Sequence, residues 1–142
     1  MRRFAATLLV VICSIAAAED ALSTAVRSLE NAGMFAFGGV GFIGKISQGE
    51  LDFRTIQSQP PAEALASFET VYATGDAAAQ LYALAGIRQL DQTRFKQLLQ
   101  SLEGSHETVF TMQGCIMERH HVADIAKAIG AGSYDSWLKP RR

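Results

Sequence analysis

The stretch AAAQLYALAGIRQL, residues 77–90, predicts the helix around which the rest of the chain is expected to pack. It is rich in alanine and leucine, which favour helix, and Asp76 stands directly before it as an N-cap. Asp91 can cap a second helix at once, with Phe95, Leu98 and Leu102 on one apolar stripe. Two helices with almost no loop between them predict an αα-hairpin.

Upstream of this hairpin the same pattern of a cap followed by a short helix recurs. Ser47 to Glu50 has the spacing of a capping box and predicts a helix through Ile56. Pro60-Pro61 ends that helix and begins another over residues 61–73. Three such units between residues 47 and 103 resemble HEAT-like helical stacking, although no letter-for-letter repeat is visible.

The region before residue 47 combines a predicted helix with a glycine-rich segment. Residues 20–32 indicate a helix capped by Asp20 and ended by Gly33. Residues 34–44, MFAFGGVGFIG, are uncharged and too rich in glycine for a stable helix. We expect a buried, extended or irregular segment here, whose phenylalanines insert between helices: Phe35, Phe37 and Phe42.

The C-terminal region shows the one β-like pattern in the chain. Residues 108–112, TVFTM, are β-branched and aromatic, which favours a short strand or an extended link near 108–117. Residues 120–129 return to a helical pattern, and Trp137 with its neighbours is expected to fold back onto the body. The predicted fold class is therefore all-α: stacked αα-hairpins with a glycine-rich irregular segment and a minor strand.

The first 18 residues have the layout of a cleavable signal peptide. Arg2-Arg3 is followed by an uncharged apolar run and by Ala16-Ala17-Ala18 before the first acidic residues. The apolar run is shorter than the roughly 20 residues of a membrane anchor. The sequence thus predicts a signal peptide at 1–18, a single exported domain at 19–142, and no stable membrane anchor after cleavage. The expected location is periplasmic or secreted.

Removal of this segment changes the charge and the cysteine content. The count of basic residues falls from 13 to 11 against 14 acidic ones, a formal charge of −3. Such a protein lacks the basic surface that nucleic acid requires, so no nucleic-acid partner is expected. Cys13 leaves with the signal, so Cys115 has no intramolecular partner for a disulfide.

The segment from Gly39 to Lys45, GVGFIGK, resembles two phosphate-binding loops at once. Ile46 stands where the phosphate-loop pattern needs a hydroxyl for magnesium, and no alternation of strands and helices surrounds the segment. We therefore expect a glycine-rich packing segment, and no nucleotide or other cofactor.

A second group of residues has metal-binding chemistry. The candidate ligands are Cys115, His120 and His121, with methionines and carboxylates nearby, and they suit a soft ion such as copper or a borderline one such as zinc. The same cysteine and histidines are candidates for a thiol-redox role. Their spacing matches no ligand signature, and the alternative is a buried cysteine beside surface histidines. No catalytic residue is assigned.

Three stretches share a pattern with other proteins: residues 35–44 (FAFGGVGFIG), residues 80–88 (QLYALAGIR) and residues 112–116 (MQGCI). In these the chain resembles small, uncharacterised exported bacterial proteins that have no established activity. The resemblance implies a bacterial, periplasmic or secreted setting and carries over no functional residues.

The functional expectation from the sequence is a non-enzymatic interaction module outside the cytoplasm. Stacked helical hairpins offer a groove for a protein or peptide partner, although a fold alone does not establish a function. The alternative is a soft-metal or thiol-redox role centred on Cys115, His120 and His121.

Overall fold

The structure, a computed structural model, describes residues 4–140 of the chain, and side-chain environments from residue 16 onward. Seven helices lie in this part: α1 Phe4–Leu29, α2 Gln48–Gln57, α3 Pro61–Thr74, α4 Ala77–Leu90, α5 Gln92–Leu102, α6 Val122–Gly130 and α7 Asp135–Leu138. Five strands accompany them: β1 Met34–Phe35, β2 Gly39–Val40, β3 Lys45–Ile46, β4 Thr108–Gln113 and β5 Ile116–His121.

Helix α4 is the centre of the core, as its sequence predicts. Almost every residue from Ala78 to Ile87 is buried, and the helix contacts α2, α3, α5, α6 and β1. Gly86 allows a close approach of α3, because a Cβ atom at this position would lie 2.4 Å from the Phe68 ring. A helix that is apolar on all sides is stable only when it is surrounded by the rest of the protein.

The helix starts predicted at Ser47, Pro61, Asp76 and Asp91 are confirmed. The side chains of Ser47, Asp76 and Asp91 each accept a hydrogen bond from the amide three residues on, at 3.2, 2.8 and 2.9 Å. Pro61 is the first residue of α3. These caps supply partners for amides that a helix leaves unpaired at its N-terminus, which is why they could be identified from local sequence.

The all-α prediction is wrong, because β1, β4 and β5 form a three-stranded sheet. Strand β1 runs parallel to β4, with Met34 beside Phe110, and β5 runs antiparallel to β4. The stack of αα-hairpins is therefore only part of a fold that mixes helices and sheet. Strand β5 was missed because its sequence, IMERHH, lacks the apolar alternation of a half-buried strand. His120 and His121 end this strand, and α6 begins after them at Val122.

The glycine-rich segment is partly as predicted. Phe35 and Phe37 are buried in the core, but Phe42 is 98% exposed, so the expectation that it inserts between helices is wrong. Strands β2 and β3 form a hairpin whose loop has Gly41 and Gly44 at positive φ. This backbone turns the loop outward, a conformation that glycine adopts without a steric penalty.

The N-terminal helix is longer than predicted. It begins at Phe4, so Asp20, the expected cap, lies inside it, and Gly33 follows its end with a φ of +69°. Residues 1–3 of the predicted signal peptide lie outside the described part of the chain, as do the side chains up to residue 15. Within the described part, no helix has both the length and the hydrophobicity to cross a membrane.

Candidate functional site

A half-open cavity of about 290 Å³ lies between the three-stranded sheet and the C-terminal segment. Three parts of the chain form its walls: the end of β1 with the residues after it, one face of the β4–β5 hairpin, and α6 with the segment through α7. The volume is near the lower end of the range for small-ligand sites, which suits a side chain or a small molecule.

The inner wall of the cavity is aromatic. The ring centroids of Phe35 and Phe37 lie 5.2 and 6.2 Å from that of Tyr134, and Trp137 lies 6.1 Å from Tyr134. Burial raises the pKa of the Tyr134 phenol above its ordinary value. Gly38 leaves room for the tryptophan, because a Cβ there would lie 3.0 Å from the indole nitrogen of Trp137. This wall therefore offers an aromatic surface against which a bound side chain or small molecule can pack.

Tyr82 of α4 supports the inner wall from the side of the core. Its hydroxyl donates to the carbonyl oxygen of Ala36 at 2.7 Å and accepts from the amide of the same residue at 2.9 Å. Burial raises the pKa of this phenol, so it keeps the proton that it donates. Ala36 lies between the two core phenylalanines, so these bonds position both rings.

The segment through α7 forms the outer wall of the cavity, and polar side chains from α2 and α4 hold it. Arg54 donates to the carbonyl oxygens of Trp137 and Lys139, the second at 3.1 Å. Gln57 and Gln89 both donate to the carbonyl oxygen of Leu138, at 2.7 and 2.8 Å. The short C-terminal segment thus has its backbone carbonyls paired with the body of the protein.

Arg54 is itself held by a buried carboxylate. Its guanidinium lies 3.2 Å from Glu50, whose side chain is almost fully buried. The other oxygen of Glu50 accepts from the amide of Gly38 at 2.7 Å. Glu50 therefore connects the glycine-rich segment to the arginine that holds the outer wall.

The polar wall of the cavity comes from β5. Ile116, Glu118 and His120 alternate along the strand and face the cavity together. The imidazole of His120 lies 3.3 Å from the Glu118 carboxylate. Among the described residues that line the cavity, Glu118 is the one carboxylate, and none is a lysine or an arginine. The lining therefore carries an acidic group.

Strand β5 is also an edge of the sheet. In the strand order β1-β4-β5, it has β4 on one side and no paired strand on the other within residues 4–140. The amide of Val122 donates to the carbonyl of Glu107 at 2.9 Å, so these two opposite residues form a hydrogen-bonded pair. In an antiparallel ladder, hydrogen-bonded and non-hydrogen-bonded pairs alternate along the strands. By that alternation Glu118 and His120 bond to β4, whereas Met117, Arg119 and His121 direct their N–H and C=O groups outward.

The three residues predicted as metal ligands lie along this hairpin. Cys115 is exposed in the turn between β4 and β5, and His120 and His121 lie at the far end of β5. Five residues of extended strand span roughly 17 Å, and successive side chains point to opposite faces. The structure thus places the thiol far from both imidazoles. Among the described residues, no three His, Cys, Asp or Glu side chains lie close enough to hold one ion.

Sequence reasoning missed most of this site. Glu118 was noted only as a neighbour of the proposed ligands, and Phe35, Phe37 and Trp137 only as packing residues. Residues 39–45, which resemble a phosphate-binding loop, form the β2–β3 hairpin, and strand β3 separates their glycines from the start of α2 at Gln48. Pairing of β4 with β5 creates the cavity face, and a two-residue turn, Gly114-Cys115, was the signal that could have indicated that hairpin.

Comparison with known proteins adds no family to this description. No family model matches the chain, and neither curated proteins nor solved structures give a match.

Proposed function

We propose that the protein is a non-enzymatic binding module, working outside the cytoplasm, that takes an extended peptide on the free edge of β5. A basic side chain of the peptide enters the adjacent cavity. The observation that carries this proposal is that one strand, β5, supplies both the free backbone edge and polar side chains of the cavity wall. Within the described chain, the backbone of β5 is unpaired on its outer side, while Glu118 and His120 of the same strand line the cavity.

The free edge supports main-chain recognition. Met117, Arg119 and His121 each offer one donor and one acceptor in a row, which is the arrangement that an added strand uses. An exposed edge strand can also pair unselectively with strands of other chains, and charged side chains on the edge limit such pairing. Strand β5 carries Glu118, Arg119 and two histidines, so pairing is favoured only for a segment that complements these charges.

The cavity supports selection of one side chain. A peptide strand beside β5 places every second side chain on the cavity face. The stem of an arginine or lysine packs against aromatic rings while its charged head bonds to a carboxylate. The aromatic inner wall and the Glu118 carboxylate provide these two surfaces.

The proposal is tested by fluorescence titration, since Trp137 is the single tryptophan of the chain and lines the cavity. The probe is an eight-residue peptide of threonine and valine with one central arginine, compared with peptides that carry norleucine or glutamate there. We expect the arginine peptide to change Trp137 emission and to bind at least tenfold more tightly than the glutamate peptide.

Two variants localise the effect. Glu118→Gln should remove the preference for arginine over norleucine, whereas the matched control Glu63→Gln, exposed on α3, should keep it. Equal binding of all three peptides by the unmodified protein, or an unchanged preference in Glu118→Gln, would overturn the assignment of the cavity. The absence of any saturable response would overturn peptide binding as a whole.

A soft-metal or thiol-redox role has no comparable support. The thiol of Cys115 and the imidazoles of His120 and His121 lie at opposite ends of β5 and do not converge.

A further inference from the structure

A second surface lies where two hairpin turns meet. The β2–β3 loop presents Phe42 and Ile43, which are 98% and 90% exposed. The β4–β5 turn is followed closely by Met117, which is 58% exposed and lies on the face of β5 opposite the cavity. We call Phe42, Ile43 and Met117 the apolar tip. Large apolar side chains that are exposed together mark an interaction site rather than ordinary surface.

The two turns of the apolar tip are joined to each other. The amide of Gly41 donates to the carbonyl of Gly114 at 2.7 Å, and Val40 forms a bridge with Gly114. The β2–β3 loop is closed by a bond from the Gly44 amide to the Gly41 carbonyl at 3.1 Å. Phe42 and Ile43 are therefore presented by a bonded loop that points away from the core, in a segment whose other phenylalanines are buried.

The charge around the apolar tip is of one sign. Residues 33–49 contain a single charged side chain, Lys45, and residues 108–117 contain none. Beyond the tip, Arg119 lies on the same face of β5 as Met117, 4.7 Å from the Phe110 ring. Glu118 points to the opposite face, toward the cavity. The tip is thus an apolar surface bordered by cations, which complements an anionic partner.

The area of the apolar tip argues against a second copy of the chain as that partner. A large aromatic side chain contributes about 150–250 Å² when it is fully buried. Three side chains, one of them already partly covered, therefore bury less than the roughly 800 Å² per partner of a stable protein interface. A lipid surface needs no such complementary area, because each apolar side chain that enters it contributes separately.

We propose that the apolar tip contacts an anionic membrane surface reversibly, with Phe42 and Ile43 entering the headgroup region and Lys45 pairing with lipid phosphates. Such contact is peripheral and needs no membrane-spanning segment. It leaves the cavity open, because the side chain of Met117 and the cavity lie on opposite faces of β5.

The test places a fluorescent reporter at the tip. Phe42→Trp retains a large exposed ring, and Leu51→Trp, at a 46% exposed position on α2, is its matched control. Both proteins keep Trp137, so the difference between them reports the introduced indole. The probes are vesicles of phosphatidylcholine alone or with phosphatidylglycerol, with and without brominated chains. With anionic vesicles we expect a blue shift and bromine quenching for Phe42→Trp beyond those of Leu51→Trp.

Further variants measure the contribution of each group. Phe42→Ser is expected to lower vesicle partitioning about tenfold, because most of one apolar side chain leaves the lipid. Lys45→Gln should weaken binding to anionic vesicles at low salt and have no effect on binding to neutral ones.

Three results would overturn the proposal. Emission from the Phe42→Trp protein that responds to vesicles no more than the Leu51→Trp control would exclude contact by the tip. Equal shifts with neutral and anionic vesicles would exclude recognition of anionic lipid. A blue shift that appears without vesicles as protein concentration rises would assign the tip to a second copy of the chain.

Discussion

The hydroxyl of Tyr82 binds both backbone groups of Ala36, accepting from its amide at 2.9 Å and donating to its carbonyl at 2.7 Å. One side chain of the central helix thereby bonds both backbone groups of the residue that follows β1, and the Ser47 hydroxyl donates to the same carbonyl at 3.1 Å. The aromatic wall of the cavity depends on this bond pair, because Phe35 and Phe37 flank Ala36.

Tyr82→Phe should lower the free energy of unfolding by about 1–3 kcal/mol, because the buried amide of Ala36 loses its partner and the carbonyl keeps only the bond from the Ser47 hydroxyl. Urea denaturation measures this loss. The matched control is Tyr72→Phe, whose hydroxyl lies 3.2 Å from the Ser101 hydroxyl at an exposed site. We expect that control to stay within about 0.5 kcal/mol of the unmodified protein. A loss of the same size in both variants would contradict the role given to Tyr82.

The same tyrosine predicts a pH dependence at the alkaline end. Burial raises its folded-state pKa above the ordinary value of 10.0, so the folded state binds a proton that the unfolded state releases. The stability that this contributes is complete below about pH 10 and is lost as the pH rises through the folded pKa. In urea denaturation at pH values from about 9 to about 11, Tyr82→Phe should show a shallower decline than the unmodified protein. Equal declines of stability with pH in the two proteins would contradict this role of Tyr82.

Gly86→Ala should destabilise the protein although alanine favours helix. The added Cβ would lie 2.4–2.5 Å from three atoms of the Phe68 ring. Overpacking of this kind costs about 1–3 kcal/mol, against roughly 1 kcal/mol gained in helix propensity, so we expect a net loss. In thermal unfolding the control Gly104→Ala, which has open space around its Cβ, should stay close to the unmodified protein. A raised melting temperature for Gly86→Ala would show that α3 and α4 are not in close contact.

Arg54→Ala should release the C-terminal segment and destabilise the fold. It removes the ion-pair partner of the buried Glu50, a change that costs about 3 kcal/mol or more in comparable buried pairs. It also removes the donor to the Trp137 and Lys139 carbonyls, so Trp137 emission should shift to the red. Arg94→Ala, which breaks the solvent-exposed pair with Glu69, should cost much less and leave the emission unchanged. Unshifted emission in Arg54→Ala would contradict the proposed support of the outer wall.

The helical part of this fold could be predicted from sequence because its signals are local. The caps Ser47, Asp76 and Asp91 lie next to the helices they begin, and α4 has the same bounds in the structure as in the prediction. The sheet could not be predicted in the same way. Strand β1 has only two residues, and it pairs with residues far along the chain, at Phe110 and Thr111.

The site was missed for a related reason. Phe37 and Phe42 lie in one glycine-rich segment and look equivalent in sequence, yet one is in the core and the other is exposed. The difference arises from the turn of the β2–β3 hairpin and from contacts with Tyr82 and Phe53 of other helices. Cys115 and the two histidines are close in sequence, which suggested a metal site. The extended strand β5 separates the thiol from both imidazoles.

The central claim is that a peptide adds a strand to β5, and amide hydrogen exchange tests it residue by residue. In the free protein the amides of Met117, Arg119 and His121 should exchange rapidly, while those of Glu118 and His120 are protected by their bonds to β4. Addition of the arginine peptide should slow exchange at the three outward amides and change the other two little. Binding of the peptide, detected through Trp137, with no new protection at Met117, Arg119 and His121 would contradict strand addition.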